Sequence, residues 1–284
     1  MKPKQQRQYL DQSRRGRSAV LSDGGPTVRS QGETSGETTL VFHKSVSRFS
    51  YSVTNFSPRR IFGLLDQLHR AGFSFGGRHS VPHAHSLVVS FDDGYGHLMD
   101  LLPSLIDQFD IRPHVFMPTE LIGKSNKWDY SHLLFPCKHL NREEIRRLDE
   151  WGVEFGSHGH RHVDLRSLDD RQLFAELRHS KGILEDLLGK TVTRLSYPFG
   201  RTDARVARIA HSVGFTRGYT MKFPTGSDSH LSTGRIPIYG YDTSLSVRMK
   251  LSHGPWRQVE ALKVAITNYL SGGTILLNTL RRQS

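Results

Sequence analysis

Two patterns of apolar residues alternate along the chain after residue 38. Short apolar runs predict β-strands at residues 39–43, 86–91, 113–117, 152–156, 193–197, 215–220, 233–238 and 274–278. Between them, apolar residues recur at helical spacing, most clearly in residues 57–71 and 168–188. Ser57 and Pro58 are suited to the N-cap and first turn of the first of these helices. Strands that alternate with helices in this way are typical of a parallel sheet covered by helices.

The length of the chain fits one such domain preceded by a tail. The sequence has 284 residues, and an α/β barrel commonly needs about 250. Residues 1–38 are rich in Gln, Ser, Gly, Arg and Thr and have almost no apolar periodicity. Such a segment cannot bury enough surface to offset the entropy of ordering, so a disordered, basic and polar tail is expected there. Residues 39–284 are expected to form a single domain.

Two adjacent carboxylates, Asp92 and Asp93, close the apolar run of the second predicted strand in the sequence Ser-Phe-Asp-Asp-Gly. An ionised carboxylate at the end of a buried strand must be paired, hydrogen-bonded or bound to a metal. Because the backbone can turn at a strand end, both carboxylates can face one mouth of the barrel with different roles. One can bind a metal while the other handles a proton. The structural alternative is a simple turn, because Asp-Asp-Gly also favours turns.

A second polar cluster, Gly156 to His162, follows the fourth predicted strand and contains three histidines at alternate positions. His158 and His162 are four residues apart, which brings two imidazoles to one side of a helical turn or tight loop. Neutral imidazole is a common ligand of zinc and similar ions. His160 points differently and is expected beside the ligands or at the surface. The alternative for this segment is a solvated basic turn.

Two histidines and one carboxylate, with coordination positions left for water and substrate, are typical of a hydrolytic metal site. We therefore expect a divalent metal ion, with zinc as the first choice. Cobalt, nickel or iron would also fit such a donor set.

These residues resemble the motifs of the polysaccharide deacetylase family, which is also called the NodB-homology domain or carbohydrate esterase family 4. The first motif is similar to Ser90–Gly94, the second to His158–His162 with Leu165 beyond, and the third to Tyr197–Gly200. The resemblance covers roughly residues 39–278 and implies an irregular seven-stranded (β/α) barrel. It also implies an enzyme that removes N-acetyl groups from a polysaccharide or oligosaccharide.

The resemblance also implies the roles of single residues. Asp93, His158 and His162 would bind the metal, and Asp92 would be the general base. Tyr197 would supply a main-chain N–H to the oxyanion of the tetrahedral intermediate. Contacts with the substrate are expected from the remaining motif positions, namely Pro198, Phe199, Arg235 and Asn278.

Two positions depart from the pattern of the family. Ser196 stands where many members have an arginine that orients the base, and Arg235 is a candidate to replace that arginine. Asn278 stands where the family has a histidine that protonates the leaving amine, and asparagine cannot act as a general acid. His43, at the end of the first predicted strand, is one candidate for that role; the alternative is a rim histidine bonded to a backbone carbonyl.

Composition leaves several functional alternatives. The net charge of +12 would suit a nucleic-acid-binding protein, but no helix-turn-helix, zinc finger or aromatic-basic surface is apparent, so no specific nucleic acid is expected. An acetylated glycan is the expected partner. A non-glycan amide hydrolase, a glycan-binding homologue of low activity and an O-acetyl esterase remain open, because the motifs do not choose the acyl substrate.

Targeting signals are not visible in the sequence. There is no secretory signal pattern and no run of about 18 apolar residues, which a membrane span requires. The single Cys137 allows no internal disulfide. A cytoplasmic location is the expectation from these patterns, and they do not predict an oligomeric state.

Overall fold

The computed structural model describes residues 38–45, 53–76, 86–125, 137–225 and 228–270. The strands in this part of the chain are β1 Thr38–Phe42, β2 Ser74–Phe75, β3 Ser86–Phe91, β4 His114–Met117, β5 Glu154–Ser157, β6 Arg194–Ser196, β7 Arg217–Tyr219 and β8 Ile236–Pro237. The helices are α1 Pro58–Arg70, α2 Leu98–Phe109, α3 Arg142–Glu150, α4 Asp170–Leu188, α5 Ala204–Val213, α6 Ser244–Leu251 and α7 Pro255–Leu270. Short 3-10 turns lie at Thr119–Leu121, Leu165–Ser167 and Pro198–Gly200.

All strand pairs of the sheet are parallel, in the order β7-β6-β5-β4-β3-β1-β8, and β2 adds to β3 beside this path. The segment before β8 returns to β7, at the opposite end of the strand order. Gly218 donates its main-chain N–H to His230 and accepts one from Thr233, and Thr220 N–H donates to the carbonyl of Thr233. The sheet therefore curls, which confirms the predicted irregular seven-stranded (β/α) barrel.

The core consists of the inward residues of the strands and the buried faces of the helices. Leu40 and Phe42 of β1 are fully buried, and the Phe42 ring stacks on that of Phe91 at a centroid distance of 5.5 Å. The apolar positions that predict α1 are those that face the core, Ile61, Leu64, Leu65 and Leu68. Hydrophobic burial of this kind, roughly 1.5–3 kcal/mol per large side chain, holds the helices on the sheet.

Most predicted strands match observed ones within about two residues at each end. The predicted helices at 57–71 and 168–188 correspond to α1 and α4, and Ser57 and Pro58 hold the predicted positions although the Ser57 side chain makes no cap bond. The predicted strand 274–278 and the predicted tail, except its last residue, lie outside the described residues. Strand β2 was not predicted, because two residues are too few to show a period.

Helix α4 has well-defined ends, and it matters for the site because it packs behind the His-rich loop. Asp169 and Gln172 form a reciprocal capping box at its start, and Gly189 closes it in a left-handed conformation with φ 66°. Among the described residues, no helix combines the length and apolar content that crossing a bilayer requires.

Candidate active site

The two carboxylates of the first motif separate at the end of β3. The main-chain N–H of Asp92 still donates to the carbonyl of Phe42, so Asp92 continues the ladder. Asp93 has left-handed backbone, with φ 68°, and there the chain turns out of the strand. Both side chains are buried, at 1% and 8% exposure of the whole residue. The turn gives the neighbouring carboxylates different surroundings, which allows different roles.

Gly94 makes this turn possible. Its φ is +56°, and a Cβ at this position would lie 1.8 Å from the Met117 sulfur. Only glycine fits such a close approach with positive φ. Gly94 therefore lets the Asp motif pack directly against the end of β4.

Asp93, His158 and His162 form a cluster whose ligand atoms all lie within 4.8 Å of one another. Asp93 Oδ1 is 3.6 Å from His158 Nε2 and 3.3 Å from His162 Nε2. His158 follows β5 directly, and the loop after it returns His162, which has φ 54°, to the same place. These are the three residues predicted as metal ligands, and the fold brings them together.

The polar atoms of this cluster suit a cation. His158 Nδ1 lies 2.7 Å from the Ser196 carbonyl, which can only accept, so Nδ1 carries the proton and Nε2 keeps its lone pair. Asp93 Oδ1 is buried without a hydrogen-bond partner. An orphaned carboxylate oxygen that faces two imidazole nitrogens fits a divalent metal ion, and zinc accepts these donors.

Electrostatics favour the protonation states that a metal site needs. Burial lowers the pKa of His158 to about 4, against the opposing effect of Asp92 and Asp93. Burial raises the pKa of Asp93, but the neighbouring imidazoles of His162 and His158 outweigh this, and the pKa falls well below its ordinary value. At neutral pH the carboxylate is therefore ionised and His158 is neutral.

Asp92 is held by a planar pair of bonds from Arg235. Nη1 donates to Asp92 Oδ1 at 2.9 Å and Nη2 to Oδ2 at 2.7 Å, and Ser196 Oγ donates to Oδ2 at 3.1 Å. Burial raises the pKa of Asp92, but the positive charge and hydrogen bonds of Arg235 dominate and bring it to about 2. Ser196 and Arg235 together fix the orientation of the Asp92 carboxylate.

Arg235 reaches this position from inside the barrel. It is fully buried just before β8, and its guanidinium lies 5.5 Å from the Phe116 ring centroid and 5.7 Å from that of Tyr219. Its Nε donates to the carbonyl of Thr220. Arg235 was predicted to contact the substrate, but it has no exposed surface, and its observed partner is Asp92. The prediction of direct substrate contact is therefore wrong, whereas its proposed substitution for the missing arginine agrees with this geometry.

Tyr197 does not offer the N–H that was predicted for it. Its main-chain N–H donates to the carbonyl of Tyr219 at 3.0 Å, and its hydroxyl donates to the carbonyl of Leu231 at 2.7 Å. The predicted donor role of Tyr197 is therefore wrong. A residue that continues a central strand uses its N–H in the ladder, and this rule could have excluded Tyr197 from the sequence alone.

Phe199, two residues further on, lies beside the cluster of Asp93, His158 and His162. Its ring centroid is 4.7 Å from that of His162, and its backbone is left-handed, with φ 59°. Pro198 precedes it, is buried and starts the 3-10 turn. Asn278, the remaining predicted substrate contact, lies outside the described residues.

Two histidines outside the metal cluster flank the carboxylates. His43 Nε2 is 4.0 Å from Asp92 Oδ2, and the His43 side chain is 18% exposed. His139 Nδ1 lies 2.7 Å from the main-chain carbonyl of Asp93, so His139 donates to the turn that carries Asp93. His139 was not predicted, because a lone histidine in a loop has no spacing signal.

Part of the chain matches a known protein family. The family model described as polysaccharide deacetylase matches residues 79–218, and this part of the chain belongs to the polysaccharide deacetylase family. The protein YxkH of Bacillus subtilis (strain 168), which is named as a polysaccharide deacetylase, is 25% identical over 140 residues, or 49% of this chain and 46% of YxkH. A gellan lyase from a Bacillus species is 32% identical over 113 residues, or 39% of this chain and 4% of the lyase. The chain thus spans less than half of the length of these curated relatives.

Solved structures share the fold. The Streptococcus pyogenes deacetylase PplD, determined in complex with acetate, has a TM-score of 0.64 at 16% identity and covers 76% of this chain and 98% of its own. A polysaccharide deacetylase from Bacillus cereus has a TM-score of 0.61 at 21% identity, covering 76% of this chain and 68% of its own. At these identities the likeness establishes the barrel and leaves the substrate open.

Proposed function

We propose that this protein is a metal-dependent hydrolase that removes N-acetyl groups from a polysaccharide or oligosaccharide. The observation that carries the proposal is the cluster of Asp93, His158 and His162, which stands next to a buried carboxylate, Asp92, held by Arg235. A ligand set and a separate proton acceptor at the same edge of the barrel are the parts that hydrolysis of an amide requires.

Asp93, His158 and His162 would hold the ion, preferably zinc. When bound, such an ion lowers the pKa of a coordinated water towards about 7 and polarises the acyl oxygen. Asp92 is ionised at neutral pH and accepts the proton of the attacking water. Arg235 and Ser196 fix the plane of its carboxylate during this transfer. The C–N bond then breaks, and the proton returns to the departing nitrogen, giving acetate and a free amine.

We assign the main-chain N–H of Phe199 to the oxyanion that forms on the acyl carbon. The proximity of the Phe199 ring to His162 supports this assignment, and Tyr197 uses its own N–H in the sheet. A preorganised donor at such a position is typically worth about a hundredfold or more in rate.

An acetylated glycan is the proposed substrate class. The support is the family match together with the two relatives named for polysaccharide chemistry. The donor set of the metal site is indifferent to the rest of the substrate, so glycan and non-glycan amides must be separated by experiment.

The test is acetate release from N-acetylglucosamine oligomers by protein that has been stripped with a chelator and reloaded with zinc or cobalt. Release should disappear on chelation and return with metal. The Asp92→Asn variant should bind metal normally and lose at least about a hundredfold in kcat, because it cannot accept the proton. His158→Ala should lose both metal and turnover.

Normal turnover by Asp92→Asn would show that Asp92 is not the general base. A metal-loaded wild type that releases no acetate from any glycan, but hydrolyses a small formamide or cyclic ureide, would favour the non-glycan amide hydrolase.

Replacement of Asn278 by histidine separates amide from ester chemistry. An amine is a poorer leaving group than an alkoxide, so a restored general acid should raise N-deacetylation more than O-deacetylation, by roughly tenfold or more. The measurement compares kcat of wild type and Asn278→His on matched N-acetyl and O-acetyl glycans. An equal increase in kcat on both substrates would contradict the idea that Asn278 stands in place of a general acid.

A further inference from the structure

Glu176 is a buried carboxylate on α4 that touches neither the metal cluster nor the base. Its side chain is only 1% exposed. A charge at this depth is costly unless hydrogen bonds and a counter-charge compensate it. Its partners therefore indicate what it stabilises.

Three hydrogen bonds to the Glu176 carboxylate come from the loop between the two histidine ligands. Oε1 accepts the main-chain N–H of His160 at 2.9 Å and that of Arg161 at 2.6 Å, while Oε2 accepts Arg161 Nε at 2.8 Å. The side chain of Arg161 is 46% exposed, so its charge is partly screened. The two main-chain bonds are the ones that fix the path of the loop.

Ser180, one turn further along α4, holds the same loop. Its hydroxyl donates to the carbonyl of Gly159 at 2.9 Å and lies 2.7 Å from Ser157 Oγ, which in turn accepts the N–H of Gly159 at 3.1 Å. Gly159 has φ +74°, and an added Cβ would lie 3.5 Å from both Glu176 Oε1 and Pro198. Ser180 and Glu176 thus hold the loop from the side of α4.

The 3-10 turn after β4 holds the loop from the other side. Thr119 N–H donates to the carbonyl of Gly159 at 3.2 Å, and Glu120 N–H donates to that of His160 at 2.9 Å. The Thr119 hydroxyl lies 2.9 Å from His160 Nδ1. Main-chain groups of Gly159, His160 and Arg161 are therefore bonded to neighbouring elements on both sides of the loop.

We propose that Glu176, with Ser180, is a positioning residue of the metal site, which presets the distance between His158 and His162 before any ion binds. The inference rests on the proposed metal-dependent function. Since His162 has left-handed backbone, the loop needs external support to return its imidazole to Asp93. Groups that orient ligands from behind typically contribute about tenfold to a hundredfold to metal affinity.

The test is zinc affinity, measured by competition with a chromophoric chelator, in Glu176→Ala, Glu176→Gln and Ser180→Ala. Glu176→Ala should weaken binding by about tenfold to a hundredfold. Glu176→Gln should recover part of this loss, because its amide oxygen can still accept the two main-chain N–H groups. Ser180→Ala should show a smaller loss. The Co²⁺-loaded Glu176→Ala protein should also show an altered visible absorption spectrum.

Glu260→Ala is the matched control. Glu260 is also a buried carboxylate on a helix, where it accepts bonds from Lys263 and Ser246 of α7 and α6, away from the metal ligands. Its loss should lower Tm without changing zinc affinity or the cobalt spectrum.

Two results would overturn the proposal. If Glu176→Ala and Ser180→Ala keep wild-type zinc affinity and cobalt spectra while Tm falls as in Glu260→Ala, the role of Glu176 is only structural. If the wild type binds no zinc or cobalt, the proposed function fails and the positioning role fails with it. The first result refutes the positioning role alone, because the wild type still binds zinc tightly and the proposed function is unaffected.

Discussion

At the scale of single residues, backbone strain is concentrated at the site. The described non-glycine residues with positive φ are Asp93, Asp110, His162 and Phe199. Asp110 simply closes α2, whereas Asp93 and His162 belong to the candidate metal cluster and Phe199 lies beside it. Such conformations cost of order 1–3 kcal/mol each and persist only where the surroundings enforce them. Two of the three proposed ligands are therefore held at some cost in stability.

The bidentate bond between Arg235 and Asp92 can be tested by Arg235→Lys. Lysine keeps the charge but cannot donate two parallel bonds. We expect kcat to fall at least about tenfold, with zinc affinity unchanged, because the metal ligands are not touched. The measurements are kcat on the glycan substrate and the zinc dissociation constant.

The control is the same change in the Asp92→Asn background. Residues that act as a unit give non-additive effects, so Arg235→Lys should cost little further activity there. A full additional loss would mean that Arg235 acts on the reaction by a route other than Asp92.

At this scale, the sequence predicted residue types better than it predicted their orientation. Asp92, Asp93, His158 and His162 were recognisable because their spacing and adjacency are unusual. Arg235 was recognised as a candidate to replace the missing arginine. The direction of its side chain could not be predicted, since a side chain inside a barrel can point to several neighbours. Isolated polar residues that brace the site, such as His139 and Glu176, have no pattern around them.

At the scale of elements, the short strands leave little space in the barrel interior. Gly156 of β5 shows this, because an added Cβ would lie 2.6 Å from the Phe116 ring and 2.9 Å from the Arg194 carbonyl. We expect Gly156→Ala to lower the free energy of unfolding by about 1–3 kcal/mol through overpacking. Urea unfolding of the purified variant measures this change.

Gly182 of α4 is the matched control, since a Cβ there meets nothing within 4 Å. Gly182→Ala should stabilise the protein by roughly 0.5–1 kcal/mol, because alanine loses less backbone entropy in a helix. Equal effects of the two substitutions would show that the interior beside Phe116 is not tightly packed.

The elements themselves were largely predictable, and their ends were less so. Strands buried on both faces appear as continuous apolar runs, which made β3 and β4 clear from the sequence. The predicted strand 233–238 shortened to Ile236–Pro237. Thr233 in that run bridges to Tyr219 of β7, whereas Ile236 and Pro237 pair with β1, and the local pattern cannot show this change of partner.

At the scale of the whole molecule, metal binding should stabilise the fold. A ligand that binds only the folded state adds about 2.7 kcal/mol when its concentration is a hundred times Kd. For a domain of this size we expect zinc to raise Tm by about 5–10 °C. Thermal unfolding with and without zinc measures the shift.

Asp93→Asn and His158→Ala should abolish this increase in Tm. A zinc-dependent increase that survives in both variants would mean that zinc stabilises the protein at a different place.

The pairing of Asp92 with Arg235 also has a consequence for how the chain folds during synthesis. The two residues are 143 positions apart, whereas all three proposed metal ligands lie between 93 and 162. Translation adds about 5–20 residues per second, so the ligands leave the ribosome several seconds before Arg235 does. A buried charge without its partner costs about 3–5 kcal/mol. The nascent chain can therefore assemble its metal ligands early, while burial of Asp92, and with it the proton acceptor, waits for the segment that leads into β8.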